Sequence, residues 1–160
     1  MEMRRKDREV TSSEDVDTIV KKARILRLGL SDDIYPYVVP LHYGYEKNPS
    51  GQYIFYMHSA KAGHKLDLIR KNPNACIELD CDERIVSGGD VPCAYGALYS
   101  SVIAQGRAEI IDEAAEKIHG LKLLMENQTG RGFEIDEKMA GSVAVIRFTA
   151  INMTAKARKA

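Results

Sequence analysis

The chain has 160 residues, 44% apolar and 29% charged, a composition typical of one water-soluble domain with a sizeable core. Its 23 basic and 23 acidic side chains cancel, which disfavours nucleic acid or a membrane surface as a partner of the whole chain. No apolar run reaches the ~18 residues that span a bilayer, and the N-terminus lacks the apolar stretch of a secretory signal. We therefore expect one cytoplasmic domain over residues 1–160.

The first element is predicted from apolar residues at helical spacing. Thr11 and Glu14 fit a capping box, and an apolar series at 16, 19, 20, 23 and 26 follows. Gly29 is a suitable end for such a helix. The spacing predicts an amphipathic helix over residues 12–28.

Two strand-forming stretches follow, "IYPYVVPLHYGYE" at 34–46 and "YIFYMHS" at 53–59, separated by the turn residues "EKNPSGQ". This pattern predicts a hairpin. Pro36 and Pro40 lack a backbone donor and so make the first strand an edge strand, or one whose proline-bearing side meets something other than a strand.

The rest of the chain predicts a mixture of short helices and strands. In order, these are a helix over 62–70 that "NP" at 72–73 stops, a strand over 75–81, a long strand over 97–111, a helix capped by Asp112, and a strand over 142–155. The long strand is expected to bend near Gly106. Strands joined mainly by turns indicate a mainly β fold, an antiparallel barrel with several short helices. Gly-rich nucleotide motifs are missing, which disfavours a Rossmann or P-loop enzyme.

The stretch "HSAKAGHK" at 58–65 carries unusual chemistry for the end of a strand. A helix begins here, and the first N–H groups of a helix are unpaired donors with partial positive charge. Ser59, His64 and Lys65 add polar and charged groups, and Gly63 lets a ligand approach the backbone closely. The combination predicts a phosphate site with His58 beside it.

Plainer interpretations of the same residues stay open. A solvated helix start commonly carries serine, histidine and lysine, and His42 and His58 suit histidines at the edge of a core bonded to carbonyl groups.

Cys76, Cys81 and Cys93 are odd in number and lack C-x-x-C spacing. They are expected to be free thiols, and no metal site is predicted.

Four stretches occur in the order "MRRKDREV", "PYVVPLHYGY", "YMHSAKAGHKLDLIRKNPNACIE" and "YSSVIAQGRAEII". Together, and in this order, they resemble the nitroimidazole-resistance family of pyridoxamine 5′-phosphate oxidase-like flavin proteins. The resemblance implies a split β-barrel and a homodimer with flavin mononucleotide (FMN) at the subunit interface. Flavin adenine dinucleotide (FAD) is the alternative cofactor.

The resemblance also implies roles for particular residues. The flavin ring would lie on one strand, the ribityl chain at the end of the next, the phosphate at the helix start, and one residue would come from the partner subunit. In that order, the residues are Val39, Pro40, Leu41 and His42; His58 and Ser59; His64 and Lys65; and Ser101.

Some positions depart from the oxidase branch of these proteins. Val39 stands where that branch tends to have arginine, His64 replaces the arginine of an Arg-Lys phosphate pair, and tryptophan is absent from the chain. Oxidation of a vitamin B6 phosphate is therefore disfavoured.

The leading hypothesis is a flavin-dependent reductase of small planar acceptors such as nitro-aromatics, with reduced nicotinamide or another electron donor. His58 or His42 would donate protons, because histidine titrates near neutral pH. Two alternatives remain: a flavin-storage protein without turnover, and a haem protein with His42 or His58 as axial ligand.

Overall fold

The computed structural model describes residues 3–159. These residues form four α-helices and seven strands, in this order: α1 Ser13–Lys22, β1 Ile25–Leu30, β2 Tyr37–His42, β3 Gly44–Lys47, β4 Tyr53–Ser59, α2 His64–Lys71, β5 Asn74–Val86, β6 Gly96–Ile111, α3 Ala114–Thr129, α4 Glu137–Gly141 and β7 Ala144–Arg158. Within the described residues, no helix combines the length and apolar character that crossing a membrane requires.

All seven strands form one antiparallel sheet in the order β2-β1-β5-β6-β7-β4-β3. The two edge strands, β2 and β3, are separated in sequence only by Tyr43. Because one residue cannot span a flat sheet of this width, the two edges must lie together and the sheet must curl. The mainly β, antiparallel split barrel expected from the sequence is confirmed.

The register divides the sheet into an inner and an outer face. Paired positions running across β2, β1, β5, β6 and β7 point the same way and fill the barrel: Leu41, Leu26, Leu79, Val102 and Ala155. All but the first of these are buried. The alternate positions of β2, β1, β5 and β6 form what we call the outer face. They are Val38, Pro40 and His42; Ile25, Arg27 and Gly29; Cys76, Glu78 and Asp80; and Ser101, Ile103 and Gln105.

The first helix was predicted too long. It ends at Lys22, and its N-cap is Ser12, whose Oγ accepts from Asp15 N at 3.4 Å, so the Thr11 capping box was wrong. Residues 25–30 form β1, in which alternate leucines are buried while Arg27 and Gly29 point outward. Leu26 fits both the spacing of a helix and the alternation of a strand, and in the structure residues 25–30 alternate as a strand.

Other predictions in this part of the chain had mixed outcomes. Strand β2 pairs only with β1, which confirms an edge strand containing Pro40. The hairpin forms between β3 and β4 alone, since the predicted first strand is interrupted at Tyr43. Helix α2 begins at 64 instead of 62.

The later elements follow the prediction closely. The register between β6 and β7 shifts between Gln105 and Gly106, where the bend was predicted, and the extra residue lies on β7, where Ile151 is unpaired and 62% exposed. Glu113, not Asp112, caps α3, accepting from Ala115 N and Glu116 N. Helix α4, which begins after Asp136, was missed.

Helix α3 covers the outer side of β3 and β4 at very short range. A Cβ added to Gly44 would overlap the backbone of Leu123 and Leu124. A Cβ added to Gly120 would likewise overlap the Tyr56 ring. These two glycines let the helix and the strands approach each other more closely than side chains would allow.

We therefore expect Gly44→Ala to lower the free energy of unfolding by about 3 kcal/mol, because backbone atoms would have to move apart. Urea denaturation measures this change. Gly132→Ala is the matched control, since an added Cβ there meets nothing within 4 Å. Equal stability of the two variants would contradict the close helix–strand contact.

Candidate functional site

The predicted phosphate residues lie at one end of the sheet, near the start of β2. Strands β2 and β4 run in opposite directions, as the chain of antiparallel pairings requires, so the start of β2 and the end of β4 share one end of the sheet. Helix α2 begins at this end, where the Tyr37 ring meets the His64 ring edge-on with centroids 5.1 Å apart. The structure thus brings the start of β2 and the start of α2 together.

The start of α2 carries free backbone donors. Gly63, the N-cap, has φ 145°, a conformation that other residues rarely adopt, and it provides no side-chain cap. Its carbonyl accepts from Leu66 N at 3.0 Å and Asp67 N at 3.3 Å. The N–H groups of His64 and Lys65 have no acceptor within residues 3–159, so they are available to an anion.

The side chains at this helix start differ in how much they are already engaged. Lys65 is half-buried and makes no hydrogen bond or ion pair with any other described residue. Ser59 is buried, and its hydroxyl donates to Ala60 O at 2.9 Å. His64 Nε2 lies 2.6 Å from Asp32 Oδ2. The helix start therefore offers one unpaired ammonium group and one imidazole already held by a carboxylate.

The two other candidate histidines differ sharply. His42 Nδ1 lies 3.1 Å from Arg24 O and 3.2 Å from Gln128 Oε1. Both neighbours are acceptors, so Nδ1 carries the proton and Nε2 is left as a free acceptor when the ring is neutral. His58 is exposed at the end of β4 and has no partner among the described residues.

The four residues expected beneath the flavin ring do not share one surface. Along β2, Val39 and Leu41 are half-buried against the core, whereas Pro40 and His42 are exposed on the outer face. A planar ligand on this strand therefore meets alternate side chains together with the backbone between them.

Ser101 lies on the outer face but far from β2 along the sheet. Two strands, β1 and β5, stand between β2 and β6, which separates Ser101 from β2 by about 14 Å at normal strand spacing. Within one chain the structure does not bring Ser101 to the other candidate residues.

Four cavities in the described residues lie away from the candidate site. Their volumes are between about 490 and 580 Å³, and the largest of the four is bordered by residues 9–16, 50–53 and 150–155. None of these four is lined by residues 39–42 or 58–65. In the single chain, the candidate residues at the start of α2 are instead brought together by direct contacts such as those of Tyr37 and Asp32 with His64.

Sequence reasoning missed residues that reach the site from distant parts of the chain. Asp32 and Tyr37 touch His64, and Gln128 touches His42. Asp32 follows β1 in a loop, and nothing in its local sequence marks it as a partner of a helix start 32 residues later.

Comparison with known proteins places this fold. The model of the pyridoxamine 5′-phosphate oxidase family matches residues 12–157. A proposed 5-nitroimidazole antibiotic resistance protein from Bacteroides thetaiotaomicron is 27% identical, with a TM-score of 0.79 over 93% of this chain and 86% of that protein. No protein with a curated description matches this sequence.

Two further solved structures are similar in fold alone. Flavocytochrome Anf3 from Azotobacter vinelandii is 20% identical, with a TM-score of 0.79 over 99% of this chain and 73% of that protein. The FAD and haem binding protein from Mycobacterium smegmatis is 16% identical, with a TM-score of 0.78 over 96% and 74%.

The curled seven-stranded sheet, with helix α2 starting at one end of it, defines the class as a split β-barrel. Since the family model covers nearly the whole chain, the protein belongs to the pyridoxamine 5′-phosphate oxidase family.

Two of the three thiols lie in the sheet, away from the helix start. Burial raises the pKa of Cys76, which is half-buried on the outer face, and raises that of Cys81, which is buried, to about 11. Cys93 is exposed in the loop before β6.

We expect iodoacetamide at pH 7.5 to modify Cys93 first, because the thiolate is the reactive form and burial suppresses it at Cys76 and Cys81. Peptide mass spectrometry locates the label. Cys81 should become reactive only as the pH approaches its raised pKa of about 11. Faster labelling of Cys81 than of Cys93 at pH 7.5 would show that the buried thiol is activated.

Proposed function

We propose that the protein is a flavin-binding oxidoreductase that holds FMN, or the related nucleotide FAD, between β2 and the start of α2. Its acceptors are small planar molecules such as nitro-aromatics. The proposal is supported by the likeness to a protein linked to 5-nitroimidazole resistance. The observation that carries it is the uncapped helix start at Gly63, next to the unpaired Lys65.

The residues at the helix start fit the phosphate group of a flavin nucleotide. We call Ser59, Gly63, His64 and Lys65 the phosphate cluster. The N–H groups of His64 and Lys65 would donate to phosphate oxygens, and the Lys65 ammonium would add a charge-assisted bond. Gly63 leaves the approach open, since a Cβ there would meet nothing within 4 Å.

A bound flavin supplies reversible electron transfer, while the protein supplies orientation and proton handling. His42 is held at Nδ1 by acceptors, so its Nε2 is fixed in direction and can accept a proton, or donate one as imidazolium. His58, exposed and unpartnered, is the second candidate for moving a proton at the acceptor.

A homodimer is part of this proposal. The outer face is exposed in the single chain, with Val38 59%, Ile103 39% and Ile25 38% accessible. Its main charges, Arg27 with Glu78 and Asp80, already neutralise each other in part. A second copy covering this face would also let Ser101 of the partner approach β2, which Ser101 of the same chain cannot reach.

Haem binding is the second candidate function, and the geometry of His42 favours it. A histidine whose Nδ1–H is bonded to a backbone carbonyl and whose Nε2 is free has the arrangement of an axial metal ligand. This candidate is also supported by two proteins of similar fold, flavocytochrome Anf3 and the FAD and haem binding protein, whose names combine haem with flavin.

The absorption spectrum of the purified protein tests the two cofactors directly. We expect two broad flavin bands in the near-ultraviolet and the blue, and release of FMN or FAD on denaturation, identified by mass. A single intense Soret band that is lost in His42→Ala would instead establish haem. Oxidation of reduced nicotinamide with a nitro-aromatic acceptor then separates a reductase from a storage protein, which would show no turnover.

Lys65→Ala should weaken FMN binding by about 1.5–3 kcal/mol, the usual worth of a hydrogen bond to a charged group. Riboflavin, which lacks the phosphate, should lose far less. Titration of the apoprotein with each flavin measures both changes, and Lys138→Ala on α4 is the control for general loss of positive charge. Equal losses for FMN and riboflavin would remove Lys65 from the phosphate cluster.

A further inference from the structure

Strand β7 lacks a neighbour on one side over a short stretch. Its other side is paired with β6 along nearly the whole strand. On the first side, pairing with β4 ends at Ile54 and Thr149, and the N-terminal segment takes over where Val10 N donates to Ala155 O at 2.9 Å. No strand within residues 3–159 pairs with residues 150–154 on this side. We call this stretch the β7 gap.

The backbone groups of Met153 point into the β7 gap. Successive residues of an antiparallel strand direct their N–H and C=O groups to opposite sides, so residues two apart share a side. Ala155 O faces the N-terminal segment, as its bond to Val10 N shows. Met153 lies two residues earlier, and the pairing with β6 is regular between them. Its N–H and C=O therefore face away from β6, and neither has a hydrogen-bond partner among the described residues.

The largest of the four cavities lies at this gap. Its volume is about 580 Å³, which is within the range of small-molecule pockets. The gap is about 16 Å long at the normal rise of a strand. Residues 9–11 border it at one end and residues 50–53 at the other, so a strand added beside β7 would collide with both. The space therefore suits a small molecule and excludes a long extended peptide.

The lining of this cavity disfavours an anion. Among the described residues that border it, Glu9 alone has a charged side chain. Lys47 Nζ lies 3.4 Å from Ser13 Oγ at the border, but it already pairs with Asp17 at 3.2 Å. Partly buried apolar residues that pack on the core provide the flat surfaces of the cavity: Val10, Val16 and Met153.

We propose that the β7 gap binds a neutral planar molecule that carries a carboxamide or lactam group. The carbonyl of such a group accepts from Met153 N–H, and its N–H donates to Met153 C=O, as a neighbouring strand would do. Two backbone groups that lack protein partners are then satisfied. A carboxylate has no N–H for the Met153 carbonyl, so the same backbone groups select against it.

This site is separate from the proposed flavin site. Tyr53 at the border of the cavity begins β4, whereas Ser59 of the phosphate cluster ends it, so about 20 Å of strand lies between them. The inference therefore goes beyond the proposed function and gives the protein a second ligand site.

Nicotinamide and nicotinate are the probes, because they share one ring and differ by a carboxamide against a carboxylate. Each is titrated at pH 7.5 into the protein as purified, and backbone amide NMR signals are followed. We expect nicotinamide to shift the Met153 signal. Nicotinate should bind at least about tenfold more weakly, because its carboxylate would face the Met153 carbonyl with no hydrogen to share.

Filling the cavity provides a second arm of the test. Thr11 borders the cavity, so the indole of Thr11→Trp would take up part of the space. Thr18→Trp is the matched control, since it makes the same change at an exposed position of α1 that does not border the cavity. We expect Thr11→Trp to weaken nicotinamide about tenfold and Thr18→Trp to leave it unchanged.

Three results overturn the inference. They are equal affinity for the two probes, binding of nicotinamide without a shift of the Met153 signal, and no binding at millimolar concentration, in which case the gap holds water alone. Equal losses in both tryptophan variants overturn it too. The comparison of the two probes decides the matter even if Thr11→Trp fails to fold. None of these results changes the case for flavin binding at the phosphate cluster.

Discussion

Tyr43 is the one residue between the two edge strands, β2 and β3, and it is buried. The closure of the barrel depends on the hydrogen bonds that hold this residue in place. Its hydroxyl donates to Val20 O at 2.6 Å and Ala23 O at 3.0 Å, and its own carbonyl accepts from Asn127 Nδ2 and Gln128 Nε2, each at 2.9 Å. Burial away from water raises the pKa of this phenol, so it remains a donor over the working range of pH. Residues at the ends of helices α1 and α3 thus hydrogen-bond to the one residue that connects β2 with β3.

The same contacts connect the fold to the candidate site. Gln128 donates to Tyr43 O and also lies against His42 Nδ1, so the position of α3 orients a histidine on the outer face. Gly44 permits this position of α3, because any side chain there would push the helix outward. Gly44, which packs against α3, and His42, which is a candidate for proton transfer, are therefore only two positions apart. Both depend on the position of α3.

Sequence reasoning succeeded where the determining interactions are local. Alternation, turn residues and Pro40 were enough for most of the strands, the edge strand β2 and the antiparallel class, and Gly106 marked the position of the register shift between β6 and β7. It failed where one stretch fits two periods, as at residues 25–30, and at Tyr43, where the strand predicted over 34–46 is interrupted. The candidate phosphate residues could be proposed from the sequence because they are close together along the chain, whereas Asp32 and Gln128 reach their histidines across 32 and 86 residues.

The proline in β2 has a consequence for the behaviour of the protein in a crowded cell. A barrel left open on one side exposes unpaired backbone groups, which in other sheets recruit further strands and lead to fibrous aggregates. Pro40 interrupts the row of donors along this edge with a residue that has no N–H to offer. The edge strand β2 is thus a poor template for polymerisation.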